Sequence, residues 1–246
     1  METSGISETI ANNMIDKKVR NNVDNALKYM KQNNINVISV FDDDYPQMLK
    51  EIYAPPICLY IKGNLQLLKM QNISLIGCRK CSQYGKKTAY YFSYNLSKAG
   101  FNIVSGLARG IDSYSHIGCL AAKGRTIAVM GSGLDNIYPK ENEQLVNEII
   151  KQNGAIITQY PLGTKPEKNN FPARNRIISG LSKAVLVIEA RAKSGTLITV
   201  DFALEQGKDV FAVPGNINSA NSVGTNELIK QGAIPVCNYK DILDNI

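Results

Sequence analysis

A chain of 246 residues with 44% hydrophobic content is long enough to bury one substantial α/β core and a smaller appendage, but not two equal domains. Its net charge of +7, from 28 Lys and Arg against 21 Asp and Glu, lies almost wholly beyond residue 60: positions 1–60 hold 6 basic and 8 acidic residues, positions 61–246 hold 22 and 13. No apolar run nears the roughly 20 residues that cross a bilayer, and none follows a basic start near the N-terminus, so a cytoplasmic location is expected, with no membrane partner.

Ile6, Ile10, Met14, Val23, Leu27 and Met30 recur at loosely helical spacing until Asn33-Asn34 halts them. The acidic run Asp42–Asp44 and the turn formers Tyr45-Pro46 and Pro55-Pro56 then imply irregular chain. Residues 1–64 therefore read as a small N-terminal helical and irregular appendage. From Ile73 the pattern changes to short apolar runs, at 73–77, 101–105, 126–131, 155–158, 184–190 and 209–213, with 233–237 as an edge strand. Their near-continuous Ile, Val and Ala content suits strands covered on both faces. Between them Ala89, Phe92 and Leu96, then Leu145, Ile149 and Ile150, keep helical spacing. This repeated βα order predicts an α/β, extended Rossmann-like fold over 65–246, a mostly parallel sheet with helices on both faces.

Ligands of such sheets bind beyond the carboxyl ends of the strands, and the unusual residues cluster there. Gly77-Cys78-Arg79, Ser105-Gly106, Arg109-Gly110-Ile111-Asp112, Gly131-Ser132-Gly133, Ser194-Gly195-Thr196 and Pro214-Gly215 each follow a predicted strand. Their small residues open backbone N–H groups to phosphate oxygens. The strict dinucleotide and P-loop glycine patterns are absent, and no acid is placed to read a ribose, so no cofactor is expected. The single histidine, His116, cannot build a multi-histidine metal site and reads as structural. Cys58, Cys78, Cys81, Cys119 and Cys237 read as reduced thiols, with Cys78-x-x-Cys81 a packing pair without a second zinc-ligand pair. Asp112, Asp135 and Glu189 could supply acid–base groups or hold arginines in position. No convincing catalytic constellation emerges, and the chain is not expected to be an enzyme.

Arg79, Arg109, Arg174 and Arg176 fall at strand ends or in the long connection after Thr158, where rigid guanidinium forks aimed at one crevice would hold a phosphodiester chain. Segment 162–193 is the most basic, and Phe171 stands in it as a loop aromatic between Lys168 and Arg174. A ring so placed can stack on a base while its neighbours neutralise phosphates, or it can anchor the loop. No helix-turn-helix or paired zinc ligands suggest a duplex reader, so single-stranded DNA is the expected partner.

The segments IGCRKCSQYG (76–85), VSGLARGIDSYSH (104–116), GRTIAVMGSGLDNIYPKEN (124–142), FPARNRIISGLS (171–182), VLVIEARAKSGTLITVDFALEQGKDVFAVPG (185–215) and GTNELIKQGA (224–233) closely resemble the DNA-processing protein A (DprA/Smf) family of bacterial natural transformation. The resemblance implies a single-stranded-DNA-binding Rossmann-like domain that forms a homodimer, loads the recombinase RecA, and contends with single-strand-binding protein. It places Arg79, Ser105, Gly106, Arg109, Lys168, Arg174, Asn175 and Arg176 around the DNA crevice. The full expected set adds Gly131, Ser132, Phe171, Ser194, Gly195 and Thr196. Gln159 stands where many family members have an acid, a form lacking the C-terminal winged-helix-like domain of many members is expected, either naturally short or truncated, and the N-terminal piece looks smaller than theirs. The alternative is a nucleoside-monophosphate phosphoribohydrolase-like enzyme, but Thr199 occupies the place of its final Glu; a nucleotide-sensing module is a further alternative.

Overall fold

The computed structural model describes residues 17–246, so the predicted helical positions Ile6, Ile10 and Met14 lie outside the described residues. The chain divides into two compact units, 1–36 and 37–246. In the first, helix α1 (Lys17–Gln32) stops where Asn33 donates its side-chain amide to the Tyr29 carbonyl and Asn34 adopts a φ of 53°, a left-handed turn that asparagine tolerates.

The described strands form one nine-stranded sheet: β1 (Ile35–Ser39), β2 (Cys58–Gly63), β3 (Asn72–Gly77), β4 (Asn102–Ser105), β5 (Thr126–Val129), β6 (Ala155–Thr158), β7 (Ala184–Glu189), β8 (Asp209–Ala212) and β9 (Ile234–Pro235). Their order is β1-β2-β6-β5-β4-β3-β7-β8-β9. From β6 to β9 every neighbouring pair is parallel, while β2 runs antiparallel to β6. The fold is α/β and Rossmann-like, as the βα repeat predicts. Strands β3 to β6 grow the sheet in one direction and β7 to β9 in the other, so the order reverses between β3 and β7. A reversal of this kind leaves a crevice at the carboxyl ends.

Pleating explains the continuous apolar runs. In β7, Ala184, Leu186 and Ile188 join one core layer while Val185 and Val187 join the other. Helices α3 (Gln83–Lys98) and α4 (Ile111–Ala121) cover the first layer through Phe92, Leu96 and Ile111. Helices α6 (Asn170–Gly180), α7 (Gly195–Glu205) and α8 (Val223–Lys230) cover the second through Ile177, Val200 and Leu228. Between α4 and α6, α5 (Glu143–Lys151) precedes β6.

The boundary expected at residue 64 falls instead at residue 36. The segment read as irregular supplies β2 and a short helix α2 (Gln47–Lys50), and Leu59, Ile61 and Leu49 are fully buried in the main core. The alternation of Leu59 and Ile61 with Tyr60 and Lys62 is a strand signal that the neighbouring prolines obscured. Tyr45 helps to pin the turn-rich stretch by donating its hydroxyl to the Pro56 carbonyl at 2.7 Å. Because Ile61 is core, Ile61→Ala should lower the stability of the whole 37–246 unit by about 2–5 kcal/mol in denaturant melts. A loss below about 1 kcal/mol would return this strand to a peripheral appendage.

Candidate nucleic-acid interface

At the reversal point a crevice of about 660 Å³ opens between the loop after β3, the start of α6 and the loop leading into α7. Among the described residues, its lining brings together six cations, Arg79, Lys80, Lys168, Arg174, Arg191 and Lys193, against one carboxylate, Asp112. Lys168 and Lys193 are exposed and have no ion-pair partner among the described residues. Ser194, Gly195 and Thr196 line it too. The Ser194 hydroxyl caps α7 by accepting from the Thr196 N–H at 3.2 Å, and a Cβ at Gly195 would meet nothing within 4 Å. The N-terminal turn of α7 therefore borders open space at Gly195, while the Thr196 and Leu197 N–H groups are already bonded to Ser194; what the turn offers an anion is the positive end of the helix. Asn175 completes this wall beside them.

Phe171 lies not in a loop but in the first turn of α6. Pro172 is tolerated there because the first helical N–H groups have no partner to lose. One edge of the ring covers Gly131, where a Cβ would stand 2.9 Å from it. The Arg79 guanidinium sits 5.4 Å from the ring centroid, and Tyr138 packs at 5.6 Å with a tilt of 44°. Both readings of Phe171 thus have a physical basis: it anchors the turn at Gly131 and also presents a half-exposed ring among cations. Tyr138, 40% exposed, is a site residue the sequence reading passed over, although its place in the loop after β5 marked it.

The structure separates the arginines. Arg79 stands exposed at the rim, and Arg109 joins it with Tyr138 and Phe171 around a small adjoining recess. There Arg109 is held by Glu141 in a bidentate pair, at 2.5 and 2.7 Å, which the sequence did not signal. Arg174 is only 4% exposed and forms the crevice floor, its Nη1 donating to the carbonyls of Gly106 and Val129 at the ends of β4 and β5. Arg176 leaves the crevice altogether: it donates to Gln159 Oε1 at 2.7 Å and to the carbonyls of Ala173 and Ala54. Successive helical residues turn by about 100°, so 174, 175 and 176 cannot all face one ligand.

Three other expected contacts are structural. Ser105 is buried and donates to the Leu75 carbonyl at 2.7 Å. Gly106 is needed because a Cβ would stand 2.7 Å from Asp112 and 2.8 Å from Arg174. Ser132, 1% exposed, closes its turn onto the Asn136 carbonyl at 2.7 Å.

The acids and thiols are likewise engaged. Burial pushes the Asp112 carboxyl above its ordinary range, opposed by Arg174 beside it. Glu189, 2% exposed, accepts from the Ser82 N–H and hydroxyl and from Asn221 Nδ2. Asp135 accepts the Gly163 N–H. Asp112 therefore lies against the buried arginine, the second of the two roles open to it, while Glu189 and Asp135 hold loops rather than an arginine. Burial raises the Cys78 and Cys81 thiols, and every cysteine is free. Among the described residues no cluster of metal-ligating side chains occurs, and no helix is long and apolar enough to cross a membrane.

A Rossmann-like α/β domain with a basic crevice at the reversal point of its sheet is the class that fold and site define. The chain belongs to the DNA recombination-mediator protein A family, which it matches over residues 36–246. It is 43% identical to DNA processing protein DprA of Bacillus subtilis, over 90% of this chain and 74% of that one, and 45% identical to DprA of Streptococcus pneumoniae, over 83% and 72%. It is 41% identical to protein Smf of Escherichia coli over 92% of this chain, but spans only 61% of that relative's length. Its fold superposes on the solved S. pneumoniae DprA with a TM-score of 0.83, at 42% identity over 89% of this chain and 77% of that one. With Helicobacter pylori DprA, a protein described by its mode of single-stranded DNA binding, the TM-score is 0.77 at 31% identity over 85% and 94%.

His116 is fully buried under this site. Thr126 Oγ1 donates its one proton to the Ile103 carbonyl, so it accepts from His116 Nδ1 at 2.7 Å, and Nε2 carries the unpartnered lone pair. Burial, with Arg174 nearby, pushes its pKa down to about 3. The unfolded chain takes up this proton near pH 6.5, the folded chain only near 3; stability is therefore present above the upper value and lost as pH falls through the window. The loss is at most about 1.4 kcal/mol per pH unit. In chemical melts from pH 7 to pH 4, His116→Asn should lose stability less steeply than the parent; equal slopes would mean that His116 takes up its proton in the fold.

Proposed function

We propose that this crevice holds the phosphate backbone of single-stranded DNA, and that the chain acts as a strand-binding mediator rather than as an enzyme. The observation that carries the reading is the lining of six cations against a single buried carboxylate, with the open Gly195 turn at the start of α7 beside them. Arg79 and Lys168 are the exposed phosphate contacts in this reading, Arg109 joins them from the adjoining recess by exchanging Glu141 for a phosphate, Phe171 is the stacking ring, Asn175 and the Ser194–Thr196 turn add neutral donors, and Arg174 supplies fixed positive charge from below. The kinship with DprA proteins supports the wider role: loading RecA onto incoming strands during natural transformation, in the cytoplasm, as a homodimer in contact with single-strand-binding protein.

The glycosidic hydrolase reading lacks a physical basis in this crevice. Its one carboxylate is buried against Arg174, and Thr199 is itself 2% exposed. A flexible strand is favoured over a stiff duplex because the half-exposed ring between Arg79 and Tyr138 can meet an unstacked base.

Lys168→Glu should weaken binding to unrelated single-stranded sequences alike, and should reduce the slope of log affinity against log salt by about 0.7 for each phosphate that is no longer neutralised. Unchanged affinity and slope would overturn the crevice reading, because Lys168 is an exposed cation of its lining without an ion-pair partner among the described residues. Phe171→Ala should lower affinity by about 1–3 kcal/mol while the salt slope stays near its parental value. If Phe171→Ala instead lowers the melting temperature and leaves affinity untouched, the ring serves as an anchor on Gly131.

A further inference from the structure

Helix α3 carries Lys86, Lys87, Lys98 and four tyrosines, and has no carboxylate. Its sheet-facing stripe is complete without them, being built from Gly85, Ala89, Phe92, Ser93 and Leu96. Lys86, Tyr90, Tyr94 and Lys98 recur every four residues and so make one row about 18 Å long on its outer side. Within the row the Tyr90 and Tyr94 rings are 6.1 Å apart and within 17° of parallel. Lys98 Nζ lies 5.8 Å from the Tyr94 centroid, and Lys86 Nζ lies 5.5 Å from that of Tyr114 on α4.

Helix α4 packs tightly against this row. A Cβ at Gly118 would stand 2.6 Å from the Tyr90 carbonyl oxygen, so glycine lets the two backbones approach. The result is a shallow seam with the exposed Tyr90 and Lys98 and the half-buried Lys86 and Tyr94 along one side, and with the half-buried Tyr114 and the 39% exposed Ile117 along the other.

Both helices begin at the rim of the crevice. Arg79 and Lys80 lie just ahead of α3, and Arg109 and Gly110 lie directly ahead of α4. The two loops touch, since the Ile111 N–H donates to the Cys78 carbonyl at 3.2 Å and Gly110 abuts the backbone of Cys78 and Arg79. At the far end, Gly124 fits against Ser97, so the exposed Lys123 and Arg125 flank the glycine that meets the residue before Lys98. Positive charge therefore marks both ends of the seam and stackable rings mark its middle.

We propose that the α3–α4 seam is a second segment of the path for single-stranded DNA, continuous with the crevice. A strand leaving Arg79 and Arg109 runs down α3, with phosphates at Lys86 and Lys98 and bases on Tyr90 and Tyr94. The inference rests on the crevice reading given above. Charge complementarity and the evenly repeated, near-parallel rings match a polyanion with flat bases, because an acidic peptide would engage the lysines and leave the ring faces bare.

The double variant Tyr90→Ala, Tyr94→Ala is compatible with the helix, since both rings lie outside the core and alanine favours helix. Its affinity, and that of the parent, are measured for oligothymidylates of about 6 and about 20 nucleotides, lengths within and beyond a short binding site. The short probe should bind both proteins equally, while the long probe should bind the variant about tenfold more weakly. Lys86→Gln with Lys98→Gln should reduce the salt slope for the long probe alone. Parental affinity of the double tyrosine variant for the long probe overturns the proposal. So does an equal loss for both lengths, or a change in sedimentation without any length-dependent loss, which would assign the seam to a second copy of the chain. Lys168→Glu separates the two readings: it should weaken both probes, and if it weakens neither, the crevice reading fails whatever the tyrosines do.

Discussion

The buried guanidinium of Arg174 is the interaction on which the crevice depends. Removing a charge from water is costly unless polar partners replace the solvent, and here the replacements are the carbonyls of Gly106 and Val129, with Asp112 close by. Those carbonyls terminate β4 and β5, so one side chain ties α6 to two strand ends. Burial lowers the Arg174 pKa to about 10, which still leaves it charged at neutral pH. The floor therefore has permanent positive charge without an exposed arginine, and Gly106 is small because a side chain there would strike both Arg174 and Asp112.

From that fixed point the walls follow. The first turn of α6 carries Phe171 over Gly131 and toward Arg79, while Arg176, two residues beyond Arg174, faces the other way and engages Gln159. Gln159 thus offers Arg176 a neutral oxygen acceptor and helps to hold α6. On the opposite wall Asn221 donates to the Lys80 carbonyl and to Glu189, and accepts from Arg191 Nε at 2.9 Å. Two basic loops from different strands are thereby fastened to one another. Cations mounted on loops can grip a flexible polyanion only if their own conformational freedom has already been restricted, and these bonds restrict it.

Much of the fold could be read directly. Continuous Ile and Val runs at β3 and β7 announced strands buried on both faces, and the glycine- and arginine-bearing loops after them located the rim where Arg79, Lys168 and the Ser194–Thr196 turn assemble. The segment before β3 was harder, because Pro46, Pro55 and Pro56 argue for irregular chain. Only pairing with β6, nearly a hundred residues later, makes Cys58–Gly63 a strand of the main sheet.

Local pattern determined which residues could be strand, helix or phosphate-facing loop, since periodicity and side-chain chemistry act over a few neighbours. Tertiary structure alone decided which cations face a ligand: whether Arg174 lies under the site, Arg176 behind it or Arg109 paired beside it depends on helix phase and on partners such as Glu141 and Gly106, distant in sequence. The same holds for the α3–α4 seam, where Tyr90, Tyr94 and Tyr114 form one surface only because Gly118 lets two helices meet. Charge is a property of residues, but the direction in which it points is a property of the packing.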